Sequence, residues 1–150
     1  MINLYSWNVN GIRAAQRKGF LDWLSATQPD ILCVQETKAH PDQLDDALRQ
    51  PQGYHTYWAA AEKKGYSGVA LYSKTEPLSV QIGLGIEAYD REGRTIVADY
   101  GEFVFIGAYF PNGSRDHSRL PYKMAYYADF LAFCNALQAQ GKAVIFCGDV

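Results

Sequence analysis

The sequence has 150 residues, of which 48% are hydrophobic and 14% aromatic, and its formal net charge is −2. This composition is typical of one globular domain with a sizeable core and excludes a disordered or fibrous chain. Because the charge is close to zero, an anionic partner would have to be met by local clusters of basic residues.

The sequence also argues against a membrane or secreted protein. No apolar run approaches the roughly 20 residues that span a bilayer, and the N-terminus lacks a basic-then-apolar signal pattern. Cys33, Cys134 and Cys147 lie inside apolar or helical patterns without disulfide-framework or CxxC spacing, so we expect them to be reduced. We therefore expect a cytoplasmic protein, associated with the nucleoid if bacterial, with no membrane partner.

The first third of the chain predicts two strands, each followed by a helix. A strand over residues 2–8 leads through an Asn-Gly turn into a helix over 13–26, with Gly19 as a flaw inside it. The short apolar run that begins at Ile31 and ends in Glu36 predicts a strand buried on both faces. Pro-Asp then starts a short helix over 41–49.

The middle of the chain predicts strands with short connections, at 54–59, 68–73, 79–82, 94–100 and 103–110. The last two strands read as a tight hairpin, and the natural arrangement of all five is an antiparallel meander. A long amphipathic helix follows over 121–140. Its predicted apolar stripe is Met124, Tyr127, Leu131, Cys134 and Leu137. A last strand begins at residue 143.

Three apolar runs end in polar residues that together could carry chemistry, namely Asn8, Glu36 and Asp149. Active sites of layered α/β proteins gather at the carboxyl ends of strands. One carboxylate can anchor Mg²⁺, which keeps most of its waters, and a nearby Asp can orient or deprotonate a water. The alternative is that these are three unrelated strand ends.

The segment from Tyr109 to Arg115 is open to two interpretations. Its Pro-Asn-Gly centre needs no function in order to form a turn. A phenol, an amide and a guanidinium on one short segment, at Tyr109, Asn112 and Arg115, could equally donate hydrogen bonds to phosphate oxygens.

Basic residues recur on the connections that leave the predicted strands. Each pair alone is typical of a solvated face, but together with glycines and with Tyr66, which could pack on a sugar or base, they indicate a surface for a polyanionic backbone. The basic residues of these connections are Arg13, Arg17, Lys18, Lys63, Lys64, Arg91, Arg94, Arg115 and Arg119.

Six motifs, in order along the chain, resemble the exonuclease III class of apurinic/apyrimidinic endonucleases. The Gly-Tyr-Ser-Gly and Arg-Glu-Gly-Arg segments are similar to the DNA-repair branch of that superfamily. The motifs are WNVNGIRA at 7–14, QETK at 35–38, GYSGVA at 65–70, DREGR at 90–94, YFPNG at 109–113 and GD at 148–149.

The resemblance implies an α/β fold, a four-layer α/β sandwich of two mixed β-sheets flanked by helices. The family has six strands in each sheet, so we expect residues 1–150 to form about the first half of a single nuclease domain, truncated after Gly148-Asp149. One sheet would be nearly complete and the other only begun. A molecule that ended at Val150 would be inactive and poorly soluble, because an edge and an apolar face would be uncovered.

The resemblance also implies roles for individual residues. Glu36 would bind the metal, with Asn8 and Asn10 close to it; the metal would be Mg²⁺, with Mn²⁺ as a substitute. The implied catalytic residues are Tyr109, Asp149, Asn8 and Asn112. The implied DNA-binding residues are Arg13, Lys18, Lys38, Gly65, Tyr66, Arg94 and Arg115.

The implied function is a metal-dependent DNA repair nuclease that acts as a monomer on double-stranded DNA with abasic sites or damaged 3′ ends. It would hydrolyse the phosphodiester 5′ to the abasic site and could also act as a 3′–5′ exonuclease that trims 3′ ends. One alternative is another phosphodiesterase of the superfamily, acting on RNA or phospholipid headgroups. Another is a DNA-binding relative that has lost catalysis.

Overall fold

The computed structural model describes residues 1–150 as eight strands, five α-helices and one 3₁₀ turn. The strands are β1 Leu4–Asn8, β2 Ile31–Gln35, β3 His55–Ala59, β4 Val69–Ser73, β5 Ser79–Ile82, β6 Thr95–Asp99, β7 Val104–Tyr109 and β8 Val144–Asp149. The α-helices are α1 Ile12–Arg17, α2 Phe20–Thr27, α3 Asp46–Arg49, α4 Glu87–Asp90 and α5 Leu120–Ala139, and the 3₁₀ turn is Pro41–Gln43.

The strands form two mixed sheets of four strands each, in the orders β1-β2-β4-β3 and β5-β6-β7-β8. The pairs β1–β2 and β7–β8 are parallel, and the other neighbours are antiparallel. The predicted four-layer sandwich is confirmed. Two finer expectations are wrong. The five strands predicted to form one meander are divided between the two sheets, and the two sheets have the same number of strands.

The layer between the sheets is built from alternate residues of each strand, because successive side chains point to opposite faces. In β2, Ile31 and Cys33 belong to the central cluster, whereas Leu32 and Val34 face the helices outside. All five residues of this strand are buried, as the apolar run predicted. All three cysteines are free thiols.

The outer face of the first sheet is covered by α1, α2 and the chain around α3. Phe20 packs at 5.6 Å between ring centroids against both Trp7 and Tyr72, and Leu48 is fully buried in the same cluster. The predicted helix over 13–26 is in fact two helices, because Gly19 adopts a φ of 100° that no α-helix accommodates. The predicted helix over 41–49 is likewise a 3₁₀ turn followed by a four-residue helix.

The outer face of the second sheet is covered by α5. Tyr126 and Phe130 are buried against Phe110 in β7's extension, and full burial of one such aromatic ring contributes roughly 2 kcal/mol. The predicted apolar stripe is partly wrong, since Met124 is 55% and Leu131 60% exposed. The helix turns its aromatic side chains to the sheet instead. No helix in the structure reaches the length and apolarity that crossing a bilayer demands.

Candidate active site

The candidate site lies at one end of the sandwich, where four strands finish. Because β1 and β2 are parallel, Asn8 pairs in register with Gln35, directly before Glu36. Because β7 and β8 are parallel, Tyr109 pairs with Asp149. The carboxyl ends of parallel strands meet at the same edge of a sheet, so each sheet brings two polar side chains to this end.

Two hydrogen bonds join these side chains across the gap between the sheets. The Tyr109 hydroxyl donates to Glu36 Oε1 at 2.6 Å, and Asn8 Nδ2 donates to Asp149 Oδ2 at 2.7 Å. Asn8 and Glu36 come from the first sheet and their partners from the second. Four residues separated by up to 141 positions in the sequence therefore meet in one place.

Backbone contacts fix the turn that carries Glu36. Glu36 itself has a φ of 54°, a left-handed conformation that costs a non-glycine residue roughly 1–2 kcal/mol. Its carbonyl accepts from Gly11 N at 2.7 Å, and Thr37 N donates to Gly68 O at 3.1 Å. A Cβ on Gly68 would lie 2.1 Å from Thr37 Oγ1, so this close approach requires glycine. The turn is clamped on both sides.

Glycine is also required beside Asp149. A Cβ on Gly148 would lie 1.9 Å from the carbonyl oxygen of Ala108 on β7. The end of β8 can therefore pair closely with β7. This pairing sets the position of Asp149 opposite Tyr109.

Tyr109 is held as a protonated hydrogen-bond donor. Burial raises the pKa of its phenol strongly, and the hydrogen bond to the Glu36 carboxylate raises the pKa further. The Arg94 guanidinium opposes this change without cancelling it. The hydroxyl therefore stays protonated at neutral pH and can donate to a carboxylate or to an anionic oxygen of a substrate.

The amide of Asn8 is used on both sides. Its Oδ1 accepts from the backbone N–H of Asn10 at 3.0 Å while its Nδ2 donates to Asp149. The Asn10 side chain points to a different partner, since its Oδ1 accepts from Lys38 Nζ at 2.7 Å. An ammonium group at that oxygen disfavours a divalent cation there, so the geometry does not support the predicted metal-proximal role of Asn10.

The residues at this end fit a hard divalent cation. The structure contains no group of three or more His, Cys, Asp or Glu side chains that could hold a metal ion. Mg²⁺ needs no such cage, because it is commonly held by one or two carboxylates and keeps several waters. Glu36 supplies one carboxylate, and Asp149, which is hydrogen-bonded to Asn8, supplies a second at the same end of the sandwich.

Asn112 lies next to the four residues without joining them. It is exposed, and its Oδ1 accepts from Ser114 N at 3.0 Å within its own turn. It lines a cleft of about 360 Å³ together with Lys63, Tyr66 and Arg119. The structure thus places Asn112 at the rim of the site.

The predicted DNA-binding residues are divided between two clefts and the open surface. Arg13, Lys38 and Gly65 line a second cleft of about 340 Å³, where Arg13 Nη2 donates to the Lys38 carbonyl at 3.2 Å. Lys18 is exposed on the turn between α1 and α2, and Arg115 is exposed on the connection between β7 and α5. Contacts of these residues to phosphates remain a prediction.

Arg94 is buried, unlike the other predicted DNA-binding residues. Its side chain is only 3% exposed, and its guanidinium donates to Tyr109 O, Tyr66 Oη and Glu92 Oε1. The guanidinium is therefore engaged by protein acceptors, and it lies in the wall of the cleft of about 360 Å³ instead of on the open surface. Glu92 was not among the predicted site residues. Its Oε1 accepts hydrogen bonds from the Tyr66 hydroxyl at 2.9 Å and from Arg119 Nη2 at 2.7 Å. The only signal was a single acid between two arginines.

Comparisons with known proteins agree with this geometry. Residues 5–150 match the model of the Endonuclease/Exonuclease/phosphatase family. The chain is 46% identical over 151 residues to the DNA repair nuclease APEX1 of Danio rerio, covering 99% of this chain and 48% of that protein. It is 45% identical over 150 residues to an exodeoxyribonuclease of Bacillus subtilis strain 168, covering 99% of this chain and 58% of that protein.

The fold agrees as well. An AP endonuclease structure from Archaeoglobus fulgidus superposes with a TM-score of 0.82 at 32% identity, covering 99% of this chain and 57% of that one. The chain thus spans about half the length of the curated relatives it matches. The resemblance of the six motifs is confirmed, and the chain belongs to the endonuclease/exonuclease/phosphatase family.

Proposed function

We propose that the chain is the part of a Mg²⁺-dependent DNA repair nuclease that carries Glu36, Asn8, Tyr109 and Asp149. The reaction is hydrolysis of the phosphodiester 5′ to an abasic site in duplex DNA, leaving a 3′-hydroxyl, with 3′–5′ exonuclease and 3′-end trimming as further activities. The observation that supports it most is the pair of cross-sheet hydrogen bonds, Tyr109 to Glu36 and Asn8 to Asp149.

Each residue has a role that its contacts support. Asp149, held by the Asn8 amide, accepts a hydrogen bond from the attacking water and takes its proton. Tyr109 is a protonated phenol able to donate to a phosphate oxygen, and Asn112 at the rim is a second donor for the charge that develops there.

Glu36 would hold the metal ion, together with Asn8 and Asp149 from the neighbouring strand ends. When bound, Mg²⁺, or Mn²⁺ in its place, would neutralise charge on the phosphate oxygens. The half-buried carboxylate is suited to this because the Tyr109 hydroxyl and the clamped backbone of the turn fix its orientation.

The partner in this proposal is double-stranded DNA, bound by a monomer. The clefts beside the site supply Arg13, Lys38 and Lys63, and Gly65 and Tyr66 form the turn between the two clefts. Phosphate contacts of this kind give affinity without sequence selectivity, which suits recognition of a lesion in any context. Flipping the abasic sugar into the site costs little because no base has to be unpaired.

Incision of a labelled duplex with a single abasic site tests the proposal. The intact protein, meaning the longest natural chain that contains residues 1–150, is compared with residues 1–150 alone, in Mg²⁺ and in EDTA. We expect the intact protein to cut 5′ to the lesion only with Mg²⁺, leaving an end that a DNA polymerase extends. We expect residues 1–150 alone not to cut.

Undamaged duplex, single-stranded RNA and a phospholipid headgroup ester serve as competing substrates. Preferential hydrolysis of RNA or of the headgroup would overturn the DNA repair proposal in favour of another phosphodiesterase. Binding of abasic duplex without any hydrolysis would favour a catalytically silent relative.

A further inference from the structure

Arg94 is the only charged residue among those that the structure buries, at 2% exposure. It lies directly before β6, on the side of the candidate active site. Taking a guanidinium out of water costs several kcal/mol unless charge pairing and hydrogen bonds compensate. The contacts of Arg94 therefore show what its burial is for.

The guanidinium connects Tyr66, in the turn before β4 of the first sheet, with Tyr109, at the end of β7 in the second sheet. Its Nη1 donates to the carbonyl of Tyr109 at 3.0 Å, and its Nη2 donates to the hydroxyl of Tyr66 at 2.8 Å. Its central carbon lies 5.2 Å from the Tyr109 ring centroid and 5.8 Å from that of Tyr66. One planar cation thus touches the turn beside the DNA-facing clefts and the phenol of the candidate active site.

A backbone hydrogen bond strengthens the connection to Tyr109. Tyr109 N donates to Arg94 O at 2.8 Å, so the two residues are joined both by their backbones and by the Arg94 side chain. With its backbone fixed and its ring against the guanidinium, the Tyr109 hydroxyl is directed to Glu36. Movement of Arg94 would displace that hydroxyl.

Glu92 keeps Arg94 in this place. Its Oε1 accepts from Arg94 Nη2 at 3.3 Å and from Arg119 Nη2 at 2.7 Å. Burial alone would raise the pKa of Glu92, but the surrounding phenols and guanidinium groups outweigh burial and lower it. The carboxylate therefore stays charged and balances the buried cation.

We propose that Arg94 is a positioning residue that transmits contact at the Tyr66 turn to Tyr109, without touching DNA itself. This inference rests on the proposed function and assigns Arg94 a role within that site. Lysine cannot replace it, because its three donors sit on one nitrogen and cannot span Tyr109 O and Tyr66 Oη as the planar fork does, and an ammonium cannot pack flat against two rings.

Single-turnover kinetics of the intact protein carrying Arg94→Lys distinguish a positioning role from a direct DNA contact. We expect the rate of incision at saturating abasic duplex to fall about 10- to 100-fold, as for a small displacement of a catalytic group. We expect the dissociation constant for DNA to stay within about threefold of wild type, since the substitution leaves the other basic residues of the two clefts in place. A large loss of affinity with an unchanged saturating rate would overturn the proposal.

A double-mutant cycle with Tyr109→Phe tests whether Arg94 acts through Tyr109. If it does, Arg94→Lys adds little to the defect of Tyr109→Phe. Fully multiplicative effects would contradict this. Arg49→Lys is the matched control, because Arg49 ends α3 far from the site and pairs only with Asp46; its rate should equal that of wild type.

The position of Tyr109 is also measurable without catalysis. In protein with isotope-labelled tyrosines, the ring signals of Tyr109, assigned with Tyr109→Phe, should shift and ring flipping should become faster in Arg94→Lys. Tyr66→Phe, which removes one acceptor of Arg94, should shift the same signals less and serves if Arg94→Lys does not fold. Unchanged Tyr109 signals would overturn the positioning role. Shifted signals in a protein that never cuts DNA would overturn only the proposed function.

Discussion

Two tyrosines cross between the sheets, one at each end of the sandwich. At the site end Tyr109 donates to the half-buried carboxylate of Glu36, and at the opposite end Tyr100 donates to the buried hydroxyl of Ser73 at 2.8 Å. The Ser73 hydroxyl passes its own hydrogen bond to a backbone carbonyl, which closes the network. The Glu36 carboxylate has further acceptor capacity. The same type of bond therefore closes a network at one end and leaves a carboxylate with free acceptor capacity at the other.

The backbone differs between the two ends in the same sense. Seven non-glycine residues have positive φ angles, and four of them lie on the turns around the site: Asn10, Glu36, Lys38 and Ser67. At the opposite end Gln28 is such a residue, in the ordinary left-handed cap of α2. Unfavourable conformations are concentrated where they fix side chains for chemistry. The predictions below test this contrast.

The largest effect is expected from Glu36→Gln. The amide keeps the shape but removes the negative charge that would hold the metal, so the Mg²⁺-dependent incision rate of the intact protein should fall at least about 100-fold. DNA affinity should change little. Glu102→Gln, in the exposed hairpin at the opposite end, is the control and should cut at the wild-type rate. Equal rates for the two variants would remove Glu36 from the site.

The two phenols should separate activity from stability. Tyr109→Phe should lower the incision rate about 10- to 100-fold, because a donor at the reacting phosphate is lost. Tyr100→Phe should leave the rate unchanged and lower the free energy of unfolding by about 1 kcal/mol, since one buried hydrogen bond, the one that Ser73 accepts, is lost. Single-turnover incision and urea unfolding measure both. The contrast fails if both variants lose the same activity.

Two carboxyl groups with lowered pKa values also differ between the ends. Glu92, 15% exposed, is enclosed by Tyr66, Arg94 and Arg119, whereas Asp99 at the opposite end is 22% exposed and has Lys142 as its one charged partner. Glu92→Gln should cost about 2 kcal/mol at pH 7, because two guanidinium groups lose a charged acceptor. Asp99→Asn should cost less.

The pH dependence of that difference follows from the direction of the pKa change. The pKa of Glu92 is lower in the folded protein than its ordinary value of 4.5. Its contribution is therefore complete above pH 4.5 and is lost as the pH falls through the lowered pKa. Urea unfolding from pH 7 downward should show wild type and Glu92→Gln converging in stability below pH 4.5. A constant difference over this range would contradict the assignment.

The smallest effect is expected from Gln28→Gly. Glycine adopts the φ of 52° at this cap without strain, so the free energy of unfolding should rise by about 0.5–1 kcal/mol with no change in incision. Lys38→Gly relieves a φ of 53° at the site end but removes the hydrogen bond to Asn10. It should weaken DNA binding, which fluorescence anisotropy measures. Loss of DNA binding in Gln28→Gly would contradict the distinction between the two ends of the sandwich.

Much of this fold could be predicted from the sequence where a local signal was strong. The four-residue apolar run of β2, the Tyr100 hairpin and the long helix α5 all lie within one or two residues of their predicted places. Asn8, Glu36 and Asp149 could be identified for the same reason, because each closely follows a local apolar run. Gly19 was noticed as a flaw, but only its φ of 100° shows that it separates two helices.

The remaining features depend on contacts between distant parts of the chain. Nothing local marks the connection at which the meander passes from one sheet to the other, and α4 has only four residues, too few for a periodic pattern. Arg94 appeared to be a surface cation because the groups that enclose it come from separate elements. The aromatic rings around it belong to Tyr66, Tyr109 and Tyr122.

We propose that the ends of both sheets form one metal-binding site. Paramagnetic broadening by Mn²⁺ measures which residues lie close to the bound ion, without any need for catalysis. In isotope-labelled protein, sub-stoichiometric Mn²⁺ should broaden the signals of Asn8, Glu36, Tyr109 and Asp149 together, and excess Mg²⁺ should restore them. Broadening confined to the acidic surface at Asp42, Asp45 and Asp46, or to only one of the two sheets, would contradict the account.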